Sequence, residues 1–270
     1  MTNKAAKTTE RIDPEQWFST RHEYLLYLRH LFAYEFARTL LKPEHTVLEV
    51  GSGEGYGSVL LARAAGRVIG LDIDAATVQH AAARYGSDRV AFQAYDGFRM
   101  PFPDSTFDVV VSFQVVEHVT DVLSYLTEIR RVLRPGGLFV LTTPNRLYRL
   151  RPGQRPWNRF HLREYDPAGL RTELAVVFPR VDVWGVRASD EVQAIEHARV
   201  AWGLRRGPTS ALRRAMPEWT RRLVGDVLAP TKKRRAEGKP DFLTRYQLSD
   251  YFVIKDQPDH SLDLLAVCSK

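Results

Sequence analysis

The sequence predicts an α/β fold, in which a parallel sheet carries helices on both faces. Short apolar runs rich in Val, Leu and Ile alternate with helical stretches from residue 46 onward, the order expected of a parallel sheet with crossover helices. A glycine-rich turn, "GSGEGYG", follows the first of these runs. Hydrophobic residues make up 44% of the 270-residue chain, enough for a sizeable core.

The individual elements follow from periodicity and punctuation. Residues 14–41 predict a helix, because Pro14 suits an opening turn and apolar residues recur at helical spacing. The remaining elements predicted, in chain order, are strand "TVLEV", helix 58–65, strand "RVIGLD", helix 75–85, strands "VAFQAY" and "FDVVVSF", helix 122–133, turn "RPGG", strand "LFVLTT", a helix near 167–176 and strand "RVDVWGV".

The pattern changes after Arg187, and this change suggests four segments. We expect an N-terminal helical cap over 1–45 and a ligand-binding core over 46–187. A basic helical insertion, or lid, is expected over 188–248. Residues 249–270 contain "YFVI" and "SLDLLAVCS", which are expected to be terminal strands that complete the core sheet.

Positive charge is concentrated in one segment of the chain. Residues 205–239 contain eleven Lys/Arg and three Asp/Glu, a balance of +8, whereas the whole chain carries +7. The segment is either a solvated helical face or a lid that meets an anionic partner, such as a phosphorylated or carboxylated glycan precursor or a membrane surface. Nucleic acid is a less favoured partner, because basic and aromatic residues together do not make an RNA site.

Cysteine content and hydropathy favour a cytoplasmic protein. No apolar run approaches the roughly 20 residues that span a bilayer, and the first residues, "MTNKAAKTTER", lack the apolar stretch of a secretory signal. Cys268 is the single cysteine, so no internal disulfide forms. Because it lies in the apolar run "LDLLAVC", we expect it to be a packed small residue and not a nucleophile.

The glycine turn does not fit a dinucleotide site. The G-x-G-x-x-G fingerprint requires a third glycine at position 56 or 58, where this chain has Tyr56 and Ser58. The pattern present is E-x-G-x-G-x-G, with Asp72 at the end of the second strand. A carboxylate at that place suits two vicinal hydroxyls, since charge-assisted hydrogen bonds are the stronger kind.

This pattern resembles motif I of the class I S-adenosylmethionine (SAM)-dependent methyltransferases, and "RVLRPGG" resembles their fifth-strand turn. The resemblance covers roughly residues 10–186 and the last strand, and it implies a Rossmann-like core that binds SAM. The cofactor residues implied are Glu49, Gly51, Ser52, Gly53 and Gly55 in the turn, Asp72 and Ile73 at the ribose and adenine, Asp96, Gly97 and Phe98 around the adenine, and Phe113 and Gln114 at the end of the fourth strand.

Four stretches, "ERIDPE", "RHLFAYEFA", "GEGYGSVLLA" and "NRFHLREYDP", resemble a bacterial group near the ubiquinone-type O-methyltransferases. Members of that group often accompany glycosyltransferases. Its first helix usually reads Glu-His-x-x-Arg-Tyr, whereas this chain has Arg29 and Ala33 in place of the Glu and the Arg. If the missing Arg holds the SAM carboxylate in the group, another cation replaces it here, and the candidates are Arg21 and His22, with His30 retained.

The residues after the fourth strand bear on the acceptor atom. Methyltransferases of nucleobase amines often carry Asn/Asp-Pro-Pro-Tyr/Phe there, and this chain has "SFQVVEH". A hydroxyl acceptor needs a base, for which His118 is the candidate and His161 a weaker one. A structural role stays open for both histidines. No metal site is expected, because the eight histidines contain no closely spaced ligand pair.

The function predicted is SAM-dependent O-methylation of a small-molecule or saccharide hydroxyl. Two alternatives remain open from the sequence. One is an RNA methyltransferase that uses the basic insertion as its footprint. The other is a non-catalytic SAM-binding partner protein in which His118 is structural.

Overall fold

The structure, a computed structural model, describes residues 18, 20–156, 158–205 and 240–270, with the backbone alone for 202–205. The predicted helix start at Pro14 and the basic stretch 206–239 lie outside these residues. Among the described helices, none is long and apolar enough to cross a membrane.

Strands and helices alternate as the sequence predicts through the first two thirds of the chain. The strands are β1 (Thr46–Val50), β2 (Arg67–Asp72), β3 (Val90–Ala94), β4 (Phe107–Phe113), β5 (Leu133–Pro144), β6 (Arg180–Ala188), β7 (Tyr251–Ile254) and β8 (Asp263–Ser269). The helices are α1 (Arg21–Arg38), α2 (Tyr56–Leu61), α3 (Ala75–Tyr85), α4 (Val122–Val132), α5 (Arg146–Arg149), α6 (Pro167–Ala175), α7 (Asp190–Arg205) and α8 (Phe242–Arg245).

The eight strands form one sheet in the order β3-β2-β1-β4-β5-β8-β6-β7. Strands β3, β2, β1, β4 and β5 pair in parallel, which confirms the α/β fold. Strand β8 runs antiparallel between β5 and β6, and β7 is antiparallel to β6, directions that the sequence did not predict. Both strands start beside the carboxyl end of β6, where Ala188 faces Tyr251 and Val186 faces Asp263.

Local signals account for most helix starts. Thr20 and Glu23 form a capping box at the start of α1, and Asp74 caps α3, whose bounds match the prediction. Helix α2 begins at Tyr56 rather than at residue 58. The predicted "RPGG" turn is incorporated into β5, where Gly136 adopts a φ of +78°.

Apolar side chains fill both faces of the sheet. On one face, α4 and α6 pack on the strands around Phe107, Phe139 and Phe178. On the other, α1 and α2 cover β1 and β4. Cys268 is buried, and burial raises the pKa of its thiol to about 12, which agrees with the expected packing role. This packing brings the carboxyl ends of β1, β2, β4 and β5 to one edge, where ligands of such sheets bind.

Candidate active site

The four glycines after β1 differ in what lies against them. A methyl group added at Gly51 would overlap the side chain of Val115, and one added at Gly57 would overlap the ring of Tyr34. At Gly55 it would meet the side chains of α3 and β3. A methyl group at Gly53 would meet no described atom within 4 Å. The protein itself therefore fills the space at three glycines, and the turn is open to a ligand at Gly53.

The open part of the turn also carries unused polar capacity. Gly53 adopts a φ of +50°, in the region that glycine tolerates best. Beside it, the hydroxyl of Ser52 is buried and has no hydrogen-bond partner among the described residues. A buried hydroxyl without a partner costs free energy, so this place suits a polar ligand that supplies one.

Glu49 is a buried residue whose hydrogen bonds stabilise the glycine turn. The hydroxyl of Tyr34 donates to its carboxylate at 2.6 Å, and Ser58 donates to the other oxygen. Burial, the largest influence, raises the pKa of Glu49 to about 7 although both hydrogen bonds oppose the rise. Glu49 thus connects β1 to α1 and α2, and it supports the cofactor site through the shape of the turn.

Asp72 lies at the tip of β2, directly beside Gly53. One carboxylate oxygen accepts the Gly53 N–H at 2.9 Å, and the other accepts the Asp74 N–H at 3.0 Å. A carboxylate offers about four acceptor positions, so each oxygen retains capacity for a ribose hydroxyl. The side chain is held where the resemblance requires an acid.

An apolar surface borders Asp72 at the predicted adenine position. Ile73 is 55% exposed and Phe98 77% exposed, so both offer apolar surface to a ligand. Gly97, with a φ of +83°, brings its backbone against Ile73. Asp96 accepts the N–H groups of Phe98 and Arg99, which lower the pKa of its carboxyl. The exposed apolar groups suit a flat base lying over them.

The remaining predicted cofactor residues lie farther along the same edge. Phe113 is buried edge-to-face against Tyr34, with ring centroids 4.9 Å apart. Gln114 has a φ of +56°, and its amide donates to Thr142 and Asp263. Gln114 therefore turns the chain out of β4 and connects it to β5 and β8.

Helix α1 carries the two cations proposed for the SAM carboxylate, Arg21 and His22, and the retained His30 at different places along its length. Arg21 and His22 are exposed in its first turn, and His22 Nδ1 lies 3.9 Å from a carboxylate oxygen of Glu196. They are about 20 Å along the helix from Tyr34, at 1.5 Å per residue. His30 is one turn from Tyr34 and therefore lies on the same face. Of the three, His30 is placed nearest to the glycine turn.

Folding brings together three residues that the sequence did not group. Glu117 and His118 lie in a 3-10 turn directly after β4, at Val116–His118. The Leu162 N–H donates to the Glu117 carbonyl at 2.9 Å, which brings His161 to the same place. The rings of His118 and His161 meet edge-to-face with centroids 4.8 Å apart. The sequence has no closely spaced histidine pair, but folding makes His118 and His161 neighbours. These three residues, which we call the Glu117–His118–His161 cluster, could hold a metal ion.

Each member of the cluster is fixed by a partner outside it. His118 Nδ1 lies 3.0 Å from the Phe160 carbonyl oxygen, and His161 Nδ1 lies 2.7 Å from Glu164. Glu117 accepts from the Thr143 hydroxyl at 3.0 Å. Glu117 and His161 are buried, whereas His118 is partly exposed. His118 is thus the member of the cluster that a substrate reaches first.

A buried group of charges, which sequence reasoning missed, lies behind the cluster. Arg29 is buried on α1, with Nε 3.1 Å from the Asp263 carboxylate and a terminal nitrogen 3.6 Å from Glu196. Burial raises the pKa of Asp263, and the charge of Arg29 opposes this rise. Arg149 lies 3.5 Å from Glu164, the partner of His161. The one sequence signal for this group was Arg29, which stands where the resembling bacterial group usually has Glu.

Comparisons with known proteins show the family to which the chain belongs. A family model described as a methyltransferase domain matches residues 48–141, from β1 to β5. A protein of Mycolicibacterium smegmatis, named a probable S-adenosylmethionine-dependent methyltransferase, is 42% identical over 190 residues, which are 68% of this chain and 70% of that protein. A ubiquinone biosynthesis O-methyltransferase of Paramagnetospirillum magneticum is 34% identical over 174 residues, covering 55% of this chain and 69% of the relative.

The solved structures show the same fold. A SAM-dependent methyltransferase of Thermotoga maritima, described as a possible histamine N-methyltransferase, superposes with a TM-score of 0.54 over 92% of this chain and 94% of its own, at 16% identity. The 42% identical relative and the methyltransferase-domain match identify SAM as the cofactor of this chain. The chain belongs to the SAM-dependent methyltransferases.

Proposed function

We propose that this enzyme transfers the methyl group of SAM to a hydroxyl of a small-molecule or saccharide acceptor. Bound SAM supplies a methyl group that is already activated on a sulfonium. The protein must therefore align the acceptor oxygen with that methyl group and assist the departure of the proton. The acceptor oxygen forms a bond to the methyl carbon, the electrons of the carbon–sulfur bond stay on sulfur, and the hydroxyl proton is released.

The observation that carries the proposal is the orientation of His118. A backbone carbonyl only accepts hydrogen bonds, so a neutral His118 carries its proton on Nδ1, facing the Phe160 oxygen. Its Nε2 is then the proton-accepting nitrogen. The ring stands just beyond β4, on a turn whose Val115 packs against Gly51 in the glycine turn. A base at this position suits a hydroxyl next to the SAM methyl group.

The relatives named for ubiquinone biosynthesis support oxygen as the acceptor atom, whereas a 37% identical relative that covers less of this chain is named a sterol 24-C-methyltransferase. The Paramagnetospirillum magneticum relative is named an O-methyltransferase and is 34% identical. The Thermotoga maritima structure carries the name of a possible N-methyltransferase, but at 16% identity it bears on the fold alone. A ubiquinone precursor and a saccharide both offer hydroxyls, so either fits the class of acceptor proposed.

The charge of residues 205–239 favours an anionic partner, such as an acceptor with a phosphate or carboxylate or a membrane surface bearing a lipid-linked acceptor. The same charge supports RNA as a second candidate acceptor. Binding of RNA that falls steeply with rising salt, and labelled methyl groups recovered in RNA, would favour that second function. Retention of small-molecule methylation in excess RNA would favour the first.

The test is to identify the methylated atom. The protein is incubated with SAM carrying a ¹³C-methyl group and the small-molecule fraction of a cell extract, and the product is examined by ¹³C NMR. We expect a new O-methyl resonance, with S-adenosylhomocysteine formed in equal amount. N-methyl or S-methyl products would overturn the proposal, and no product with any fraction would favour the non-catalytic SAM-binding protein.

A further inference from the structure

We infer that the Glu117–His118–His161 cluster binds a divalent transition metal ion of the Zn²⁺ type. The binding site is independent of the proposed function. The use we assign to the metal, activation of the acceptor hydroxyl, rests on that function.

The three side chains form a suitable ligand set. Two imidazoles and one carboxylate are the combination that catalytic Zn²⁺ sites use, with a fourth position open to water or substrate. Their candidate ligand atoms all lie within 4.8 Å of one another. Bonds of about 2.0–2.2 Å in a tetrahedral site separate the ligand atoms by roughly 3.3–3.6 Å. Small side-chain rotations, with no change in the backbone, would complete the coordination.

The surroundings orient the ligands as those of metal sites are oriented. Metal-binding histidines usually donate their second ring nitrogen to a carbonyl or a carboxylate, which fixes the ring. His118 has its Nδ1 on the Phe160 carbonyl, and His161 has its Nδ1 2.7 Å from Glu164. Nε2 is therefore the coordinating atom of each ring. Glu117 is oriented by the Thr143 hydroxyl.

The backbone around the cluster is held by contacts between distant parts of the chain. The Leu162 N–H donates to the Glu117 carbonyl at 2.9 Å, and the Arg163 guanidinium donates to the Thr120 carbonyl at 2.9 Å. Asn145 and Tyr165 form a parallel bridge at the end of the same loop. The loop with His161 is thus fixed against the turn with Glu117 and His118, which reduces the entropy cost of assembling a site on binding.

The position of the cluster gives the metal a role in methyl transfer. His118 is the partly exposed member of the cluster, so an open coordination position beside it would be the one accessible to an acceptor. Coordination of the acceptor hydroxyl would lower its pKa, as it does for metal-bound water. The hydroxyl would lose its proton to water and the metal-bound oxygen would attack the methyl carbon, with the carbon–sulfur electron pair left on sulfur. In the metal-loaded enzyme His118 is a ligand, and the metal replaces it as the activating group.

Direct metal binding tests the inference without reference to activity. The full-length protein is freed of metal with a chelator and titrated with Zn²⁺ by calorimetry and with Co²⁺ by visible absorption. We expect one ion per chain, with the intense d–d bands of a four-coordinate Co²⁺ site, and no displacement by equimolar Mg²⁺, which prefers oxygen ligands. The absence of a one-to-one complex with either ion would overturn the inference.

Variants locate the ion. Glu164→Gln keeps all three ligands and loosens the orientation of His161, so we expect affinity to fall about 10–100-fold. His118→Asn and His161→Asn remove a ligand, and a larger loss is expected. His197→Asn, at an exposed position on α7, is the matched control and should bind as the wild type does. Because His118 is partly exposed, we expect His118→Asn to fold even if the buried positions do not tolerate substitution. Its metal affinity can then still be measured. Equal binding by His118→Asn and the wild type would place the ion elsewhere.

The two proposals fail separately. If no ion binds but O-methyl product forms and His118→Asn abolishes it, the metal inference is wrong and the O-methyltransferase stands. If the ion binds at the cluster but the methyl group is found on nitrogen or sulfur, the metal site stands and the proposed function is wrong.

Discussion

The cofactor side and the acceptor side of the molecule are built in different ways. The predicted cofactor side, from β1 to the loop after β3, consists of residues close in sequence that act through backbone groups, the carboxylates of Glu49, Asp72 and Asp96, and exposed apolar side chains. The acceptor side, around β4, β5 and β8, assembles side chains from distant positions around buried charges, including Arg29, Glu164 and Asp263. A ligand site made of contiguous residues is visible in a sequence, whereas one made by tertiary packing is not.

The largest effect should come from breaking the buried charges of the acceptor side. Arg29→Ala leaves Asp263 buried without the cation that contacts it, which typically costs about 3–5 kcal/mol, whereas Glu196 keeps its contact with Arg199. Denaturant unfolding should show this loss. The control is Arg38→Ala on the same helix, whose partly exposed pair with Glu35 should be worth about 0–1 kcal/mol. Equal losses for the two variants would contradict the distinction between the two sides.

Gly53 and Gly57 test whether ligand binding and fold stability depend on different glycines within the cofactor side. Gly57→Ala places a methyl group in the ring of Tyr34, so it should destabilise the fold by about 1–3 kcal/mol or more. Gly53→Ala meets open space and carries a backbone cost of about 1–2 kcal/mol at its positive φ. We expect the larger loss of SAM affinity for Gly53→Ala and the larger loss of stability for Gly57→Ala. Calorimetry with SAM and thermal unfolding measure the two, and the reverse order would refute the assignment.

The motif residues show why part of the site was predictable. Asp72 and Gly53 are 19 positions apart, but a single β-α-β unit brings them together, so a motif with this spacing could assign both to one ligand. His118 and His161 come from separate loops, and a hydrogen bond between Leu162 and Glu117 decides their meeting. Arg29 appeared in the sequence as a departure from a family pattern, and only the fold shows its partners. The antiparallel β8 was likewise predicted as a strand but not in its direction.

Removal of the Asp72 carboxylate should weaken SAM binding, and it should lower the stability of the fold less than the Arg29 change does. Asp72→Ala deletes charge-assisted hydrogen bonds to the ribose, each worth about 1.5–3 kcal/mol. SAM affinity should fall at least about tenfold while the protein remains folded. Asp88→Ala, at an exposed loop position, serves as the control. Unchanged SAM affinity would remove Asp72 from the site, and comparable binding of NADH would overturn the choice of cofactor.

The smallest effect concerns the pH dependence of stability. The folded pKa of Glu49, about 7, exceeds its ordinary value of 4.5 because the carboxyl is buried. Between these pH values the folded state holds a proton that the unfolded state has released, so this contribution is present below about pH 4.5 and is lost as pH rises through about 7. Glu49→Gln should flatten the fall in unfolding free energy over this range. An unchanged slope would assign the dependence to other groups.

Single-turnover methyl transfer by His118→Asn at saturating SAM, measured together with SAM affinity, tests most directly whether the cofactor side and the acceptor side have separate roles. For His118→Asn we expect a SAM dissociation constant within about twofold of the wild type and a methyl-transfer rate at least about a hundredfold lower. This result would show that the acceptor side activates the hydroxyl without contributing to cofactor binding. A rate close to that of the wild type, or a parallel loss of SAM binding, would contradict it.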